Sequence, residues 1–282
     1  MNPGRGYRIL IHVAAVLASV VILAPLAWLL YTSLVGQSDV STVPLHWWPE
    51  HWTLARYRDI FAGNQNSVAA EFRTAVFNSF VVASGTVLVS LVVGVLGGYA
   101  LARLHFPLRR ASLMSFLMTY MLPPIALIIP LYLLMSRLGL LDTKLGLIIV
   151  YCSLAIPFAL WTMSNFFSTL PAELEEAARV DGCSRLGALV RIILPLSRPG
   201  IIATALFAFL LCWDEFLYSL IFTSTSQAKT IPVAIAEFTG RNAVDFGLIA
   251  AGGIIASLPP LLLTLALQRY LIGGLASGAV KG

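Results

Sequence analysis

The chain has 282 residues, 59% of them hydrophobic and 11% charged, with a mean hydropathy of +0.87. Soluble domains run nearer about 45–50% apolar and about 25% charged, so a water-soluble globular fold is excluded and a membrane protein is expected. The formal charge of +5 does not point to nucleic acid, because its distribution along the chain reads as a topology signal.

A spanning helix needs about 20 mainly apolar residues. Six segments qualify, at 9–34, 75–101, 112–136, 145–167, 200–222 and 247–271. They are too long and too continuously apolar for barrel strands, so an all-α membrane protein with six transmembrane helices is expected, as one domain over 1–282. The first segment follows Arg5 and Arg8, as a signal peptide would. It outruns a usual signal core and has no clear cleavage site, so it reads as a retained helix.

Residues 35–74 carry Trp47, Trp48, Trp52, Tyr57 and Phe61 with His46 and His51. The aromatics suit an interfacial belt, and a contact surface for an external partner is the sharper alternative. His46 and His51 have no cysteine or clustered carboxylates at metal spacing, which argues against a metal site. The second span holds the polar Asn78 and Gly94-x-x-x-Gly98, a spacing that lets helices approach closely. Pro123, Pro124 and Pro130 interrupt the third span, Pro157 the fourth, and Pro259 and Pro260 the sixth. Cys152, Cys183 and Cys212 form no C-x-x-C pair, so neither a disulfide framework nor a zinc site is expected.

With the N-terminus placed inside, Arg5, Arg8, Arg103, Arg109, Arg110, Arg179, Arg185, Arg191, Arg198, Arg269 and Lys281 lie on the inner side. Arg56, Arg58, Arg73, Arg137, Lys144, Lys229 and Arg241 lie outside. That is eleven of the eighteen basic residues inside, so the positive-inside rule puts both termini in the cytoplasm.

One segment on the inner side stands apart. Pro171–Gly200, within a loop at 168–199 between the fourth and fifth spans, mixes acids, arginines, glycine and proline. Pro171 suits the first turn of a helix, and Glu173, Glu175 and Glu176 then favour its dipole. Leu170, Leu174, Ala177 and Ala178 follow helical spacing and are expected to form a narrow, small-sided face. Gly182 suits a left-handed cap. Ser184 can start a second helix with an apolar stripe of Leu186, Leu189, Val190 and Ile193, which Pro195 and Pro199 are expected to end. A DNA-binding helix-turn-helix has this outline, but here the unit is tethered at both ends to spans and its first helix is acidic.

Glu176-Ala177-Ala178, then Gly182, then Ile192-x-Leu194-Pro195 resembles the signature loop of ABC importer permeases. The stretches Gly98–Arg110, Ile128–Ile149, Phe166–Gly182, Trp213–Leu220 and Gly274–Gly282 resemble the carbohydrate-uptake subfamily, most closely its maltose-type, short-tailed subunit. Cys183 stands where the subfamily often has Ala, and Asp214 where it often has Asn.

The resemblance implies a type I ABC importer transmembrane domain in a prokaryotic inner membrane. Its coupling helix would dock on an ATPase through Glu176, Ala177, Ala178, Asp181, Gly182, Ile192, Leu194 and Pro195. It further implies two ATPase subunits or domains, a second permease subunit and an extracytoplasmic solute-binding protein. The chain has only three lysines, Lys144, Lys229 and Lys281, and none follows a glycine-rich phosphate loop. It is therefore expected to bind no cofactor, with ATP and Mg held by the partner ATPase, and no nucleic acid.

The solute path is expected along Trp213, Asp214, Glu215 and Tyr218, with Asn78 a further polar candidate, because acids inside a span are functional candidates. A sugar or oligosaccharide suits carboxylates beside aromatic faces. Another polar solute such as a glycerol phosphodiester stands as an alternative. A proton-coupled secondary transporter using Asp214, Glu215 and His12 is a separate class, which often shows internal repeats that are not evident here. A membrane enzyme would need a paired catalytic constellation, and none is seen. The identity of the solute is not written in the sequence.

Overall fold

A computed structural model describes residues 5–36, 39, 48–49, 51–62, 68–238 and 245–279. His46, Trp47, Arg241 and Lys281, and the side chains of Arg5 and Arg8, lie outside the described residues. The helices are α1 (Arg5–Leu34), α2 (Ala55–Ala62), α3 (Val68–Arg103), α4 (Arg109–Met121), α5 (Pro124–Arg137) and α6 (Lys144–Thr169). They continue as α7 (Glu173–Val180), α8 (Arg185–Leu196), α9 (Arg198–Trp213), α10 (Leu217–Phe222), α11 (Ile231–Glu237) and α12 (Phe246–Ala279). Among the described residues the strand-like pairing is a single antiparallel bridge, Val35 with Trp52.

Four helices are long and apolar enough to cross a membrane alone: Ile9–Leu34, Ala70–Arg103, Lys144–Thr169 and Phe246–Tyr270. Among the described residues the number is up to six if each of two bent pairs counts as one broken span, Arg109–Met121 with Pro124–Arg137 and Arg185–Leu196 with Arg198–Trp213. The third expected span is thus α4 and α5 meeting at 96°. Leu122 and Pro123 both sit in extended backbone there (ψ 133 and 128), because a residue before proline is pushed out of the helical region. Pro124 then starts α5 at a position where its missing N–H costs nothing. By contrast, Pro157 lies inside a continuous α6, and Pro259 and Pro260 inside a continuous α12.

The fifth expected span, 200–222, is also discontinuous. α9 stops at Trp213 and α10 starts at Leu217, so Asp214 and Glu215 lie at a break between helices. They are not in the middle of a spanning helix, as the sequence suggested.

The chain divides into two compact units, Met1–Arg73 with Ala234–Pro259, and Thr74–Val233 with Pro260–Gly282. In the second, α6 is the spine. It buries Leu147, Val150, Tyr151, Ala155, Ala159, Leu160, Met163 and Phe167, and α4, α9 and α10 pack on it. Gly94 and Gly98 seat α3 against the same helix. A methyl group at Gly94 would lie 2.7 Å from the Ala159 Cβ, and one at Gly98 would lie 2.9 Å from the Ser164 nitrogen. The small-residue spacing therefore serves close helix packing.

In the first unit, Arg56 is buried and pairs with Asp245 at 3.2 Å. Its guanidinium also donates to the Val35 and Ser33 carbonyls at the end of α1, where the helix dipole is negative. Trp28, Tyr31, Trp52 and Trp48 form a chain of ring contacts at 5.3, 6.0 and 6.2 Å. Trp48 and Trp52 are exposed, as an interfacial belt requires. Along α1 the apolar side chains from Ile9 to Leu26 are exposed, the surface expected of a helix bathed in lipid.

Candidate functional site

The polar island folds as helix, turn, helix. α7 begins after Ala172, with Pro171 one residue earlier than expected, just outside the first turn. Glu173, Glu175 and Glu176 occupy the first turn, where unpaired N–H groups favour negative charge. The helix ends in a Schellman cap. The Cys183 N–H donates to the Ala178 carbonyl at 2.9 Å, and the Gly182 N–H to the Arg179 carbonyl at 3.1 Å. Gly182 has φ +83, a conformation that a side chain resists. Ser184 caps α8 by accepting from the Gly187 N–H at 3.1 Å.

Pro195 does not end α8 as expected. The helix widens to a π-helical stretch over Leu189–Ile193, where the Leu194 N–H bonds the Leu189 carbonyl, and continues through Pro195 to Leu196. The wider turn gives room for a ring that would crowd the preceding turn of a regular α-helix. The break comes at Ser197, where α8 and α9 bend by 77°. Pro199 lies in the first turn of α9.

The expected stripe on α8 splits in two. Leu189 and Ile193 point inward and form a core cluster with Tyr99, Met163 and Phe167, while Ile192 is half-buried and Leu194 packs against the cluster. Leu186 and Val190 are exposed. α7 divides in the same way. Ala178 is buried, whereas Glu176, Ala177, Asp181 and Gly182 are exposed and Val180 is 87% exposed. The sequence placed Ala177 and Ala178 on one outward face, and the structure separates them. A Tyr99 hydroxyl donates to Glu175 at 2.7 Å, and Arg103 donates to the Leu170 carbonyl at 2.6 Å, so the island is fastened to the end of α3. None of these fastenings is visible in the spacing of the motif. The one hint is Tyr99, a polar aromatic near the end of an apolar run.

At the other end of α6, about 39 Å away for 26 residues, polar side chains are turned inward. Asn78 is fully buried and donates to the Ser226 and Lys229 carbonyls, each at 3.0 Å. Its oxygen accepts from Lys144 at 3.1 Å, and Lys144 also donates to the Gln227 carbonyl. Asp142, at φ +56, accepts from the Ser224 and Thr225 N–H groups and the Thr225 hydroxyl at 2.9, 3.0 and 2.7 Å. Burial alone would raise its carboxyl. Those three donors, with the charge of Lys229, outweigh it and hold the group below the ordinary carboxylate range.

The other expected solute-path residues divide similarly. Trp213 is buried and stacks on Phe209 at 5.3 Å. Tyr218 is fully buried, its hydroxyl donating to the Pro124 carbonyl at 3.4 Å. Glu215 caps α10, its carboxylate accepting from the Tyr218 N–H at 2.9 Å and the Ser219 N–H at 3.1 Å. An acid two residues before a short apolar helix is a signal that could have shown this role. Of the four residues at the break, only Asp214 is exposed, with exposed Phe216 beside it.

Comparison with known proteins matches residues 72–276 to the family described as binding-protein-dependent transport system inner membrane component. The trehalose transport system permease protein SugB of Mycobacterium tuberculosis is 38% identical over 262 residues, covering 92% of this chain and 93% of that protein. The trehalose/maltose transport system permease protein MalG of Thermococcus litoralis is 33% identical over 276 residues, covering 98% and 97%. A solved structure of a bacterial ABC transporter involved in the import of the acidic polysaccharide alginate has a chain with the same fold, at a TM-score of 0.76 and 22% identity over 96% of this chain and 99% of that one. With a match over most of its length, its apolar helices and its helix-turn-helix island, this chain belongs to the binding-protein-dependent inner membrane transport family, as a multi-pass transport subunit and not an enzyme.

Proposed function

We propose that the chain is the permease subunit of an ATP-driven ABC importer for a sugar or short oligosaccharide. The observation that carries the reading is the island. Gly182 closes α7, Ser184 opens α8 and its foot, Leu189 and Ile193, is buried, yet Leu174, Ala177, Val180, Leu186 and Val190 are left exposed. Exposed apolar side chains on a rigid, self-capped unit suit a docking lever. Glu176 beside them suits a basic residue of an ATPase groove, and Asp181, Gly182 and Pro195 shape the surface. Ala178, Ile192 and Leu194 serve as the seat that transmits movement into α3 and α6.

On this reading the island end is cytoplasmic, with both termini on that side. Arg103, Arg109, Arg179 and Arg185 gather there, which supports the orientation. Two ATPase subunits or domains bind ATP and Mg, a second permease subunit completes the pathway, and an extracytoplasmic binding protein delivers the solute. Asp214 is the side chain at the break available to a solute. A carboxylate there favours a neutral, hydroxyl-rich molecule over a phosphodiester, which it would repel. Relatives that carry trehalose or maltose in their names agree with that choice.

The test is uptake by the assembled complex in proteoliposomes carrying an ATPase variant unable to hydrolyse ATP. Uptake should collapse while an imposed proton gradient persists, and continued uptake would return the chain to the secondary transporters. Glu176→Lys should leave ATPase activity but lose coupled uptake, and wild-type uptake in that variant would remove the docking assignment.

A further inference from the structure

Two adjoining cavities lie at the island end and share one residue, Arg109. The first, of about 290 Å³, is lined by Arg103, Arg109, Arg179 and Arg185, facing Glu175 and Glu176, with His105 at its edge. Among the described residues, none of the four arginines is within salt-bridge distance of a carboxylate, since the pair found there is Arg56 with Asp245. Glu175 is engaged by the Tyr99 hydroxyl. Arg103 and Arg109 are held in place by single bonds to the Leu170 and Ala102 carbonyls, and the Arg103 Nε is buried with no partner. A guanidinium offers five N–H donors, so this cleft sets four arginines with donor capacity to spare against two glutamates, an excess of positive charge.

The second cavity, of about 730 Å³, is lined by Leu101, Phe106, Leu108 and Leu113 with Arg109 and Arg110. Ser164, Asn165 and Ser168 of α6 complete its wall, so it is apolar on the side of α3 and α4 and polar toward α6. A ligand that fills both needs an anionic head and a hydrocarbon tail, joined at the level of Arg109. The cavities also sit where α3 ends and α4 begins.

We propose that these cavities form a binding site for one anionic phospholipid of the phosphatidylglycerol class. Its phosphate sits in the arginine cleft, and its glycerol backbone and one acyl chain run along Leu101, Phe106, Leu108 and Leu113. Arginine forks bind phosphate oxygens through paired charge-assisted bonds, and basic pockets between spanning helices hold such headgroups. The phosphate would bridge the end of α3 to α7 and α8. A bound lipid therefore ties the island's base to the spans. Lipid retention needs neither solute nor transport activity, although the cleft shares Glu176 with the face proposed to meet the ATPase.

The full chain, purified in an uncharged detergent, is titrated with phosphatidylglycerol and separately with phosphatidylcholine, and retained lipid is counted by native mass spectrometry. One phosphatidylglycerol should be retained, in preference to phosphatidylcholine. Arg103→Gln and Arg109→Gln should each weaken retention by about fivefold, and Arg109→Lys should weaken it less. Glu175→Gln should strengthen it, an outcome that general damage to the fold would not give. Equal retention of the two lipids, or unchanged retention in both glutamine variants, would overturn the site. Displacement of the lipid by millimolar glycerol phosphate would overturn the lipid assignment in favour of a soluble phosphate ester.

Discussion

The two ends of the second unit solve opposite problems. Around Asn78, Asp142 and Lys144, polar side chains turn inward and satisfy the carbonyls and N–H groups of the 222–230 segment. In the island, the backbone satisfies itself through the Gly182 and Ser184 caps, and apolar side chains turn outward. The first end is complete in isolation. The second leaves apolar side chains, and the arginine cleft at its base, uncovered, the mark of a face that another molecule covers. Polarity in the sequence thus misleads at both ends. Asn78 suggests a solute contact and is a structural clamp, while the charged island owes its surface character to leucines and valines.

The contrast breaks most sharply at Gly182. Gly182→Pro fixes φ near −65° where the turn needs +83, and removes the N–H that bonds Arg179. Coupled uptake should fall roughly a hundredfold, while the detergent-extracted chain should melt close to wild type, because the turn is exposed. A loss of melting temperature as large as that of a core substitution would place the island inside the fold and not on its surface.

Asn78→Ala should act the other way round. It leaves the Ser226 and Lys229 carbonyls without their donor and Lys144 with the Gln227 carbonyl as its remaining acceptor. A buried group stripped of its partner costs about 1–3 kcal/mol, so thermal stability should drop by about 2 kcal/mol. The apparent affinity for solute in the surviving fraction should stay at the wild-type value. A changed affinity with unchanged stability would restore Asn78 to the solute path.

These two residues also mark what was legible in the chain. Gly182 could be read in advance because its role is local: an acidic turn, eight helical residues and a glycine specify a cap within one window. The six apolar segments were legible for the same reason, since hydropathy acts residue by residue. Asn78 could not be placed, because the two carbonyls it donates to lie 148 and 151 residues away, and backbone atoms leave no trace in side-chain identity. The failure at Pro195 is of another kind. A proline normally stops a helix, but a π-helical turn made from Leu189–Ile193 admits it, and that choice depends on Leu189 and Ile193 finding a pocket under Tyr99 and Phe167. The break at Asp214–Phe216 carries no proline or glycine. Its mark is Glu215, whose carboxylate can start a new helix.

Glu215→Ala tests that point with a smaller effect. Losing the cap on the Tyr218 and Ser219 N–H groups should cost about 1 kcal/mol of stability, and Glu215→Gln, which keeps an acceptor, should cost less. Asp214→Ala, by contrast, should leave stability unchanged and shift the solute affinity of the assembled complex. If Glu215→Ala alters solute affinity and Asp214→Ala alters only stability, the roles assigned at the break are exchanged.

The smallest effect concerns acid. The Asp142 carboxyl is held below its ordinary value by the Thr225 and Ser224 donors and by Lys229, against the opposing pull of burial. A group whose folded value is lowered contributes stability that is fully present above the ordinary carboxylate value and is lost as pH falls through the folded one. Asp142 is half-buried beside solvent, so screening keeps the contribution small, on the order of a few tenths of a kcal/mol. Melting curves should therefore be flat in this term from pH 7 to about 5 and decline below about pH 4. Asp142→Asn retains a residue that tolerates φ +56 and one oxygen for the Ser224 and Thr225 N–H groups. It should remove that acid-dependent part while leaving the turn intact. A decline of unchanged depth in Asp142→Asn would assign the acid sensitivity to other carboxylates, and the clamp at this end would then rest on Asn78 and Lys144 alone.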